Sequence, residues 1–257
     1  MGRVHLRAER DVAVLTIDSP GRLNAFTRAM RADIRRVLAD VETDARYVGA
    51  VLTGAGEAFC AGQDFNESSA WDEATPWVEE FELFARAIAG FKKPLVAAVN
   101  GVAAGGGFQA ALMCDRRVGH AGTRMGQTEV RWGLASVTGT WLLQRSVGDA
   151  RARELVLSGR LMEADELLRL GLIDAVVPRE TVLDAALAAC RRLAEAPAGS
   201  FARTKTWLYE SLSEELRQVF GDAVRLHRLG FASGESQAGA VGFLQSRHDA
   251  MPKGSRA

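Results

Sequence analysis

Residues 95–109, Leu-Val-Ala-Ala-Val-Asn-Gly-Val-Ala-Ala-Gly-Gly-Gly-Phe-Gln, constrain the fold more than any other stretch. Five apolar residues, Leu95 to Val99, running into Asn100-Gly101 read as a buried strand that stops at a turn. The apolar residues beyond Gly105-Gly106-Gly107 read as a short buried helix. A helix therefore opens at the glycines. Amides in its first turn lack intrahelical partners and carry the positive end of the macrodipole, and with no Cβ a ligand can approach them closely. Three uses fit: tight packing, a phosphate cradle or an oxyanion site. A phosphate loop is excluded because no Gly-Lys-Ser or Gly-Lys-Thr follows. A dinucleotide fingerprint fits poorly. The glycines are contiguous, and Arg124–Thr128, ahead of Glu129, is too polar for the second strand of such a unit. Oxyanion binding and plain packing remain.

The flanking sequence predicts a parallel sheet with helical crossovers. Val4–Ala8 and Val12–Ile17 read as a hairpin, Val48–Thr53 as a strand, Arg116–His120 as an edge-like strand and Leu172–Val177 as the last one. Helices are expected from Thr27, with Ile34, Val37, Leu38 and Val41 as its buried stripe; around Phe81, Phe84, Ala85 and Ile88; and over Thr138–Val147 and Ala150–Ser158. A second glycine-bearing turn, Phe59-Cys60-Ala61-Gly62-Gln63-Asp64, follows the strand at Val48. Trp71 and Trp77, in and beside the irregular stretch Asn66–Pro76, either line a pocket for an apolar ligand or pack the loop down. Beyond Pro178 the chain reads as helical, with stripes at Val182–Leu193 and Leu212–Ala223 and a last helix near Gly234–Ser246. Helices with an apolar face and no sheet of their own imply an oligomer.

Thirty-two basic residues balance thirty-two acidic ones, and 47% of the 257 residues are hydrophobic. That suits one large or two small domains and gives no general affinity for nucleic acid or membranes. No segment reaches the roughly 20 apolar residues that span a bilayer, and Met1–Arg10 has no apolar run, so a cytoplasmic protein is expected. Cys60, Cys114 and Cys190 match no metal pattern and read as buried reduced thiols. The last seven residues read as a frayed tail.

Asn24-Ala25, Phe59 to Asp64, Lys93-Pro94 to Gly107, Cys114-Asp115 and Gly126-Gln127-Thr128-Glu129, in this order and spacing, resemble the crotonase superfamily, the enoyl-CoA hydratase and isomerase group. The resemblance implies an α/β fold of repeated ββα units in stacked sheets, placed here at residues 1–195. A helical trimerisation region, 196–257, would follow, giving a trimer or a dimer of trimers. It also implies an acyl-CoA substrate, with coenzyme A arriving as part of it and no other cofactor. Two backbone amides would grip the thioester oxygen: by motif position, those of Gln63 and Gly106. Enolate formation concentrates charge on that oxygen, and losing one such donor typically costs about 2.7 to 4 kcal/mol of barrier. Ala61 and Asp64 belong to the same substrate-binding turn, with Asp64 fixing it by hydrogen bonds, and Asp115 reads as a turn or packing support. CoA recognition is implied near Asn24 and Ala25, and Arg22, Lys92 and Lys93 are candidate phosphate partners on charge grounds. Two positions depart from the pattern: Ser19-Pro20 replaces the usual Arg-Pro, and Gln245-Ser246-Arg247 the usual Glu-Lys-Arg.

Hydratases of the group carry two glutamates around the α and β carbons. The first position here is Gln109 and the second is Glu129. An amide can orient water but cannot accept its proton, and a missing general base typically loses about 10²- to 10⁴-fold in rate. One carboxylate suffices for 3-enoyl to 2-enoyl isomerisation, since the same group takes and returns the proton, so hydration and isomerisation both stay open. Ser136, Thr138 and Thr140 replace a Pro-Gly-rich turn in the acyl wall, with Trp132 and Trp141 expected to bound it. A crotonase-like protein that binds acyl-CoA or a partner without turnover, and a nicotinamide-dependent dehydrogenase, are the rival readings.

Overall fold

The computed structural model describes residues 2–68 and 75–250. Trp71 and its neighbours Ser69, Asp72 and Glu73, like the expected tail at 251–257, lie outside the described residues. The strands are β1 (Arg3–Glu9), β2 (Val12–Asp18), β3 (Gly49–Gly54), β4 (Ala58–Cys60), β5 (Leu95–Ala98), β6 (Val102–Ala104), β7 (Arg116–Gly119), β8 (Arg124–Gly126), β9 (Met162–Glu163) and β10 (Ala175–Val176). They form two sheets. The larger runs β1-β2-β3-β5-β7-β10, with β1 and β2 antiparallel and the other pairs parallel. The smaller runs β4-β6-β8-β9.

Residues of the large sheet alternate between its faces, as the period of two requires. Ala13, Leu15, Ile17, Leu52 and Ala97 enter one buried cluster. Val12, Val14, Val51, Val96 and Ala98 enter another. Burial on both faces is what makes these strands continuous apolar runs. On the first face packs α1 (Arg28–Thr43), through Ile34, Val37, Leu38 and Val41. Thr27 starts this helix: its Oγ1 accepts from the Met30 amide at 3.2 Å, a cap that typically contributes about 1 kcal/mol.

The chain passes repeatedly from a strand of the large sheet to one of the small sheet and then to helix. So β3 and β4 lead to α2 (Phe65–Ser68) and α3 (Thr75–Ala89); β5 and β6 lead to α4 (Gly106–Met113); β7 and β8 lead to the 3-10 turn Glu129–Trp132. Further helices are α5 (Thr138–Val147), α6 (Asp149–Ser158), α7 (Ala164–Arg169), α8 (Val182–Leu193), α9 (Ala198–Glu210), α10 (Ser213–Ala232) and α11 (Glu235–Ala250).

Several sequence expectations change. β7 is not an edge strand, because β10 pairs along its outer side at Ala175 and Val176. The stripe of α8 is not left over for another subunit: Val182, Ala186, Leu187 and Cys190 cover the second face of the large sheet. Part of α10 is covered as well, since Leu216, Phe220 and Ala223 pack on Val78 and Ala85 of α3. Asp115 is a packing support, as expected, accepting from the Leu95 amide and from Lys205 Nζ, each at 2.7 Å. All three cysteines are free and buried, and burial pushes each thiol up to about 12.

Candidate active site

Because β4, β6 and β8 run parallel, their carboxyl ends lie along one edge of the small sheet. Each is followed within a few residues by a segment the sequence singled out: Ala61-Gly62-Gln63, Gly105-Gly106 and Glu129. Crevices at such ends are where open α/β sheets bind ligands. The two glycine turns abut. A Cβ placed on Gly62, whose φ is +97°, would sit 2.8 Å from Ala104 O and 3.2 Å from the Gly106 amide nitrogen. One placed on Gly105, φ +52°, would sit 3.2 Å from Glu129 Oε1. Only glycine permits both the left-handed backbone and this approach.

A cavity of about 700 Å³, counting its open mouth, lies over these turns, and Ala61, Gln63, Gly106, Gln109, Glu129 and Trp132 all line it. The amides of Ala61, Gly62 and Asp64 are engaged by Leu23 O, Cys60 Sγ and Phe26 O, whereas among the described residues that of Gln63 meets no backbone carbonyl. The Gly106 amide belongs to the first turn of α4, where intrahelical partners are lacking.

Glu129 is the only carboxylate among the described residues of this wall. Its Oε1 accepts from Gln109 Nε2 at 3.1 Å and from Gln127 Nε2. Its Oε2 is shielded from solvent and has no partner among the described residues. The residue as a whole is half-buried, but the carboxyl group is sealed, and that desolvation pushes it up to about 7 against its own backbone amide, the Gln109 carboxamide and the Thr128 backbone, which favour its charged form. Gln109 is oriented in turn by Thr138 Oγ1, which donates to Gln109 Oε1 at 2.6 Å. Such an arrangement can hold charge on an oxygen beside an acid poised to give or take a proton near neutral pH.

Other candidates fall elsewhere. Asn24 is buried and its side chain is spent on the scaffold, accepting from the Ser19 amide and donating to Ala55 O and Ala58 O. Ala25 is buried beside it. Asp64 does fix the turn, accepting from the Asn66 amide at 2.9 Å and pairing with exposed Arg22 at 2.5 Å. Lys93 Nζ donates to Val41 O, Asp44 O and Tyr47 O, each at 2.8 Å, closing the end of α1. Lys92 is exposed, 3.7 Å from Glu42. None of Arg22, Asn24, Ala25, Asp64, Lys92 and Lys93 reaches the cavity wall. Trp141, expected to bound the acyl pocket, instead packs beside the α3–α10 cluster under the Arg145 guanidinium. Trp77 does line the cavity.

Sequence reasoning missed three contributors. Gln127 stood inside a quoted motif without a role, yet it is 1% exposed and holds Glu129. Arg31 sits in the apolar pattern of α1, where a charge is itself a signal. His227, with Phe220 and Ala223, brings α10 into the wall from beyond residues 1–195, where the ββα units were expected. Among the described residues no group of His, Cys, Asp and Glu is placed to hold a metal ion, and no helix is long and apolar enough to cross a membrane.

A family model described as enoyl-CoA hydratase/isomerase matches residues 7–251. The chain is 32% identical over 238 residues to a probable enoyl-CoA hydratase of Rhizobium meliloti (strain 1021), covering 92% of each protein. It is 34% identical over 247 residues to the 1,2-epoxyphenylacetyl-CoA isomerase of Escherichia coli (strain K12), covering 93% of this chain and 94% of that one. A solved enoyl-CoA hydratase/isomerase from Pseudoalteromonas atlantica T6c superposes with a TM-score of 0.84 at 27% identity, over 95% of this chain and 97% of that one. With matches spanning nearly its whole length and two sheets stacked as ββα units, the chain is an enzyme of the enoyl-CoA hydratase/isomerase family with the crotonase fold.

Proposed function

We propose that this enzyme transfers protons on an acyl-CoA thioester through an enolate, with the amides of Gln63 and Gly106 holding the thioester oxygen and Glu129 as the acid and base. One observation carries the reading: a sealed carboxylate has one oxygen held by two amides and the other unpartnered, in the cavity that the two glycine turns line. Two donors on the thioester oxygen lower the acidity barrier at the α carbon, and a group titrating near 7 is matched to both directions of proton transfer.

The carboxylate count favours interconversion of 3-enoyl-CoA and 2-enoyl-CoA. Glu129 takes the α proton and returns it at the γ carbon, while Gln109, tied between Glu129 and Thr138, orients it without accepting a proton. Hydration is the second reading, supported by the name of the Rhizobium relative, with Glu129 both activating water and protonating carbon. Coenzyme A enters only as part of the substrate.

The two part on one assay. Purified enzyme is offered 2-enoyl-CoA and 3-enoyl-CoA separately, and 3-hydroxyacyl-CoA is sought by mass spectrometry. Double-bond migration without hydroxyl product supports the first reading, and hydroxyl product the second. Glu129→Gln abolishes either activity, by about 10²-fold or more; full turnover by that variant would remove Glu129 from the chemistry.

A further inference from the structure

Four residues of the cavity wall carry a buried polar atom with no partner among the described residues: Glu129 Oε2, Ser136 Oγ, His227 Nδ1 and Arg31 Nη2. The reaction proposed above uses the first. Two of the others, on Arg31 and His227, are linked by a chain of contacts through Gln63 and Trp77. Arg31 is 1% exposed; its Nε donates to Glu80 at 2.5 Å and its Nη1 donates to Gln63 Oε1. Trp77 Nε1 donates to that same Gln63 oxygen at 3.1 Å, and the His227 ring meets the Trp77 ring edge-on at 4.6 Å between centroids. Arg31, Gln63, Trp77 and His227 thus form one continuous patch of the wall.

A charged donor buried without an acceptor is costly, and Glu80 Oε1, on the carboxylate that pairs with Arg31, lacks a hydrogen-bond partner as well among the described residues. The unpartnered nitrogen belongs to a residue of a cavity wall that also holds the aromatic rings of Phe65, Phe81, Trp132 and Phe220. Chains of plain hydrocarbon offer that nitrogen nothing. We infer that the Arg31–His227 patch recognises an oxygen atom carried by the acyl group beyond the thioester, so that the substrate is an oxygenated acyl-CoA and not a plain fatty acyl-CoA. Glu80 already balances the Arg31 charge, so a hydroxyl or ketone suffices as acceptor, and a carboxylate is the charged version of the same chemistry. The aromatic rings would hold the carbon between.

The inference rests on the acyl-CoA reading, and binding separates the two. Calorimetric Kd values are measured on the intact protein for saturated acyl-CoAs of four to ten carbons in three series: unsubstituted, ω-hydroxy or ω-keto, and ω-carboxy. Expected is a preference of about 10- to 100-fold for an oxygenated member over its unsubstituted counterpart at one chain length, the scale of a hydrogen bond to a charged donor. Which oxygenated series wins distinguishes a neutral from an anionic acceptor. The preference should fall to parity in the paired variant Arg31→Met, Glu80→Gln, which removes the ion pair as a unit, and drop in part in His227→Phe. Equal or tighter binding of the unsubstituted series at every length overturns the inference while leaving the acyl-CoA reading intact. Absence of binding by all three series overturns both.

Discussion

At the scale of single residues the site turns on how Glu129 is kept uncharged part of the time. Its carboxyl titrates near 7, against an ordinary value of 4.5, because burial penalises the anion. A base must be ionised to act, so kcat/KM for α-proton removal should fall as pH drops through about 7, and a pH-rate profile reads this directly. The same shift makes a stability prediction of opposite sense. A group held above its unfolded pKa favours folding fully below about 4.5, and that contribution is lost as pH rises to about 7. Glu129→Gln should therefore unfold at higher denaturant than the parent at pH 8, by about 2 to 3 kcal/mol, and show no advantage at pH 4.5. Gln127 offers a second handle. A Cβ on Gly139 would come within 2.1 Å of the Gln127 carboxamide. In a helix, alanine gains about 1 kcal/mol over glycine, which offsets some of the overpacking. Gly139→Ala should lower kcat by about 10- to 100-fold through a displaced Gln127, with the melting temperature moved little; unchanged kcat would show that Gln127 positions nothing.

Between elements, the deciding contact is where the loops after β4 and β6 touch. Gly62→Ala must accommodate a methyl 2.8 Å from a backbone carbonyl in a left-handed conformation, so both activity and stability should suffer, the latter by about 1 to 3 kcal/mol in a denaturant titration. Lys93 tests a different junction. Its amine is shared by three carbonyls at the end of α1, so Lys93→Met should cost about 1 to 3 kcal/mol of stability and leave KM for acyl-CoA within about twofold. A tenfold rise in KM would instead assign that amine to a CoA phosphate. Among the elements themselves, α1, α5 and α8 were legible as they stand because each carries a full apolar stripe or clear stops at both ends. β4, β6, β8 and β9 were not. Strands of two or three residues, one of them Arg124-Met125-Gly126, have no period to read, and their pairing is carried by partners roughly 20 to 45 residues away.

For the molecule as a whole, the exposed large apolar side chains include Trp207 and Leu208 on α9, Leu229 on α10 and Val241 on α11, alongside others such as Leu83 and Leu157 outside the C-terminal helices. The assembly expected of the C-terminal region is checked by mass. Light scattering on the purified protein should give the mass of three or six chains, and a monomer at micromolar concentration would contradict the trimerisation role expected for this region. The helices also serve the site, since Phe220, Ala223 and His227 of α10 close one side of the cavity. A change that loosened α10 should therefore alter activity as well as assembly.

From the amino-acid order alone came the alternating strands and helices, the glycine turns, the family they resemble and the solitary Glu129, because local backbone preference and short motifs are written in neighbouring residues. Folding decided which of those residues share a cavity. Three short parallel strands set Gln63, Gly106 and Glu129 side by side, and distant helices supplied Arg31 and His227. Burial, the partner left missing at a buried nitrogen and the titration of a sealed acid all depend on what lies across empty space, and that distance is not encoded in separation along the chain.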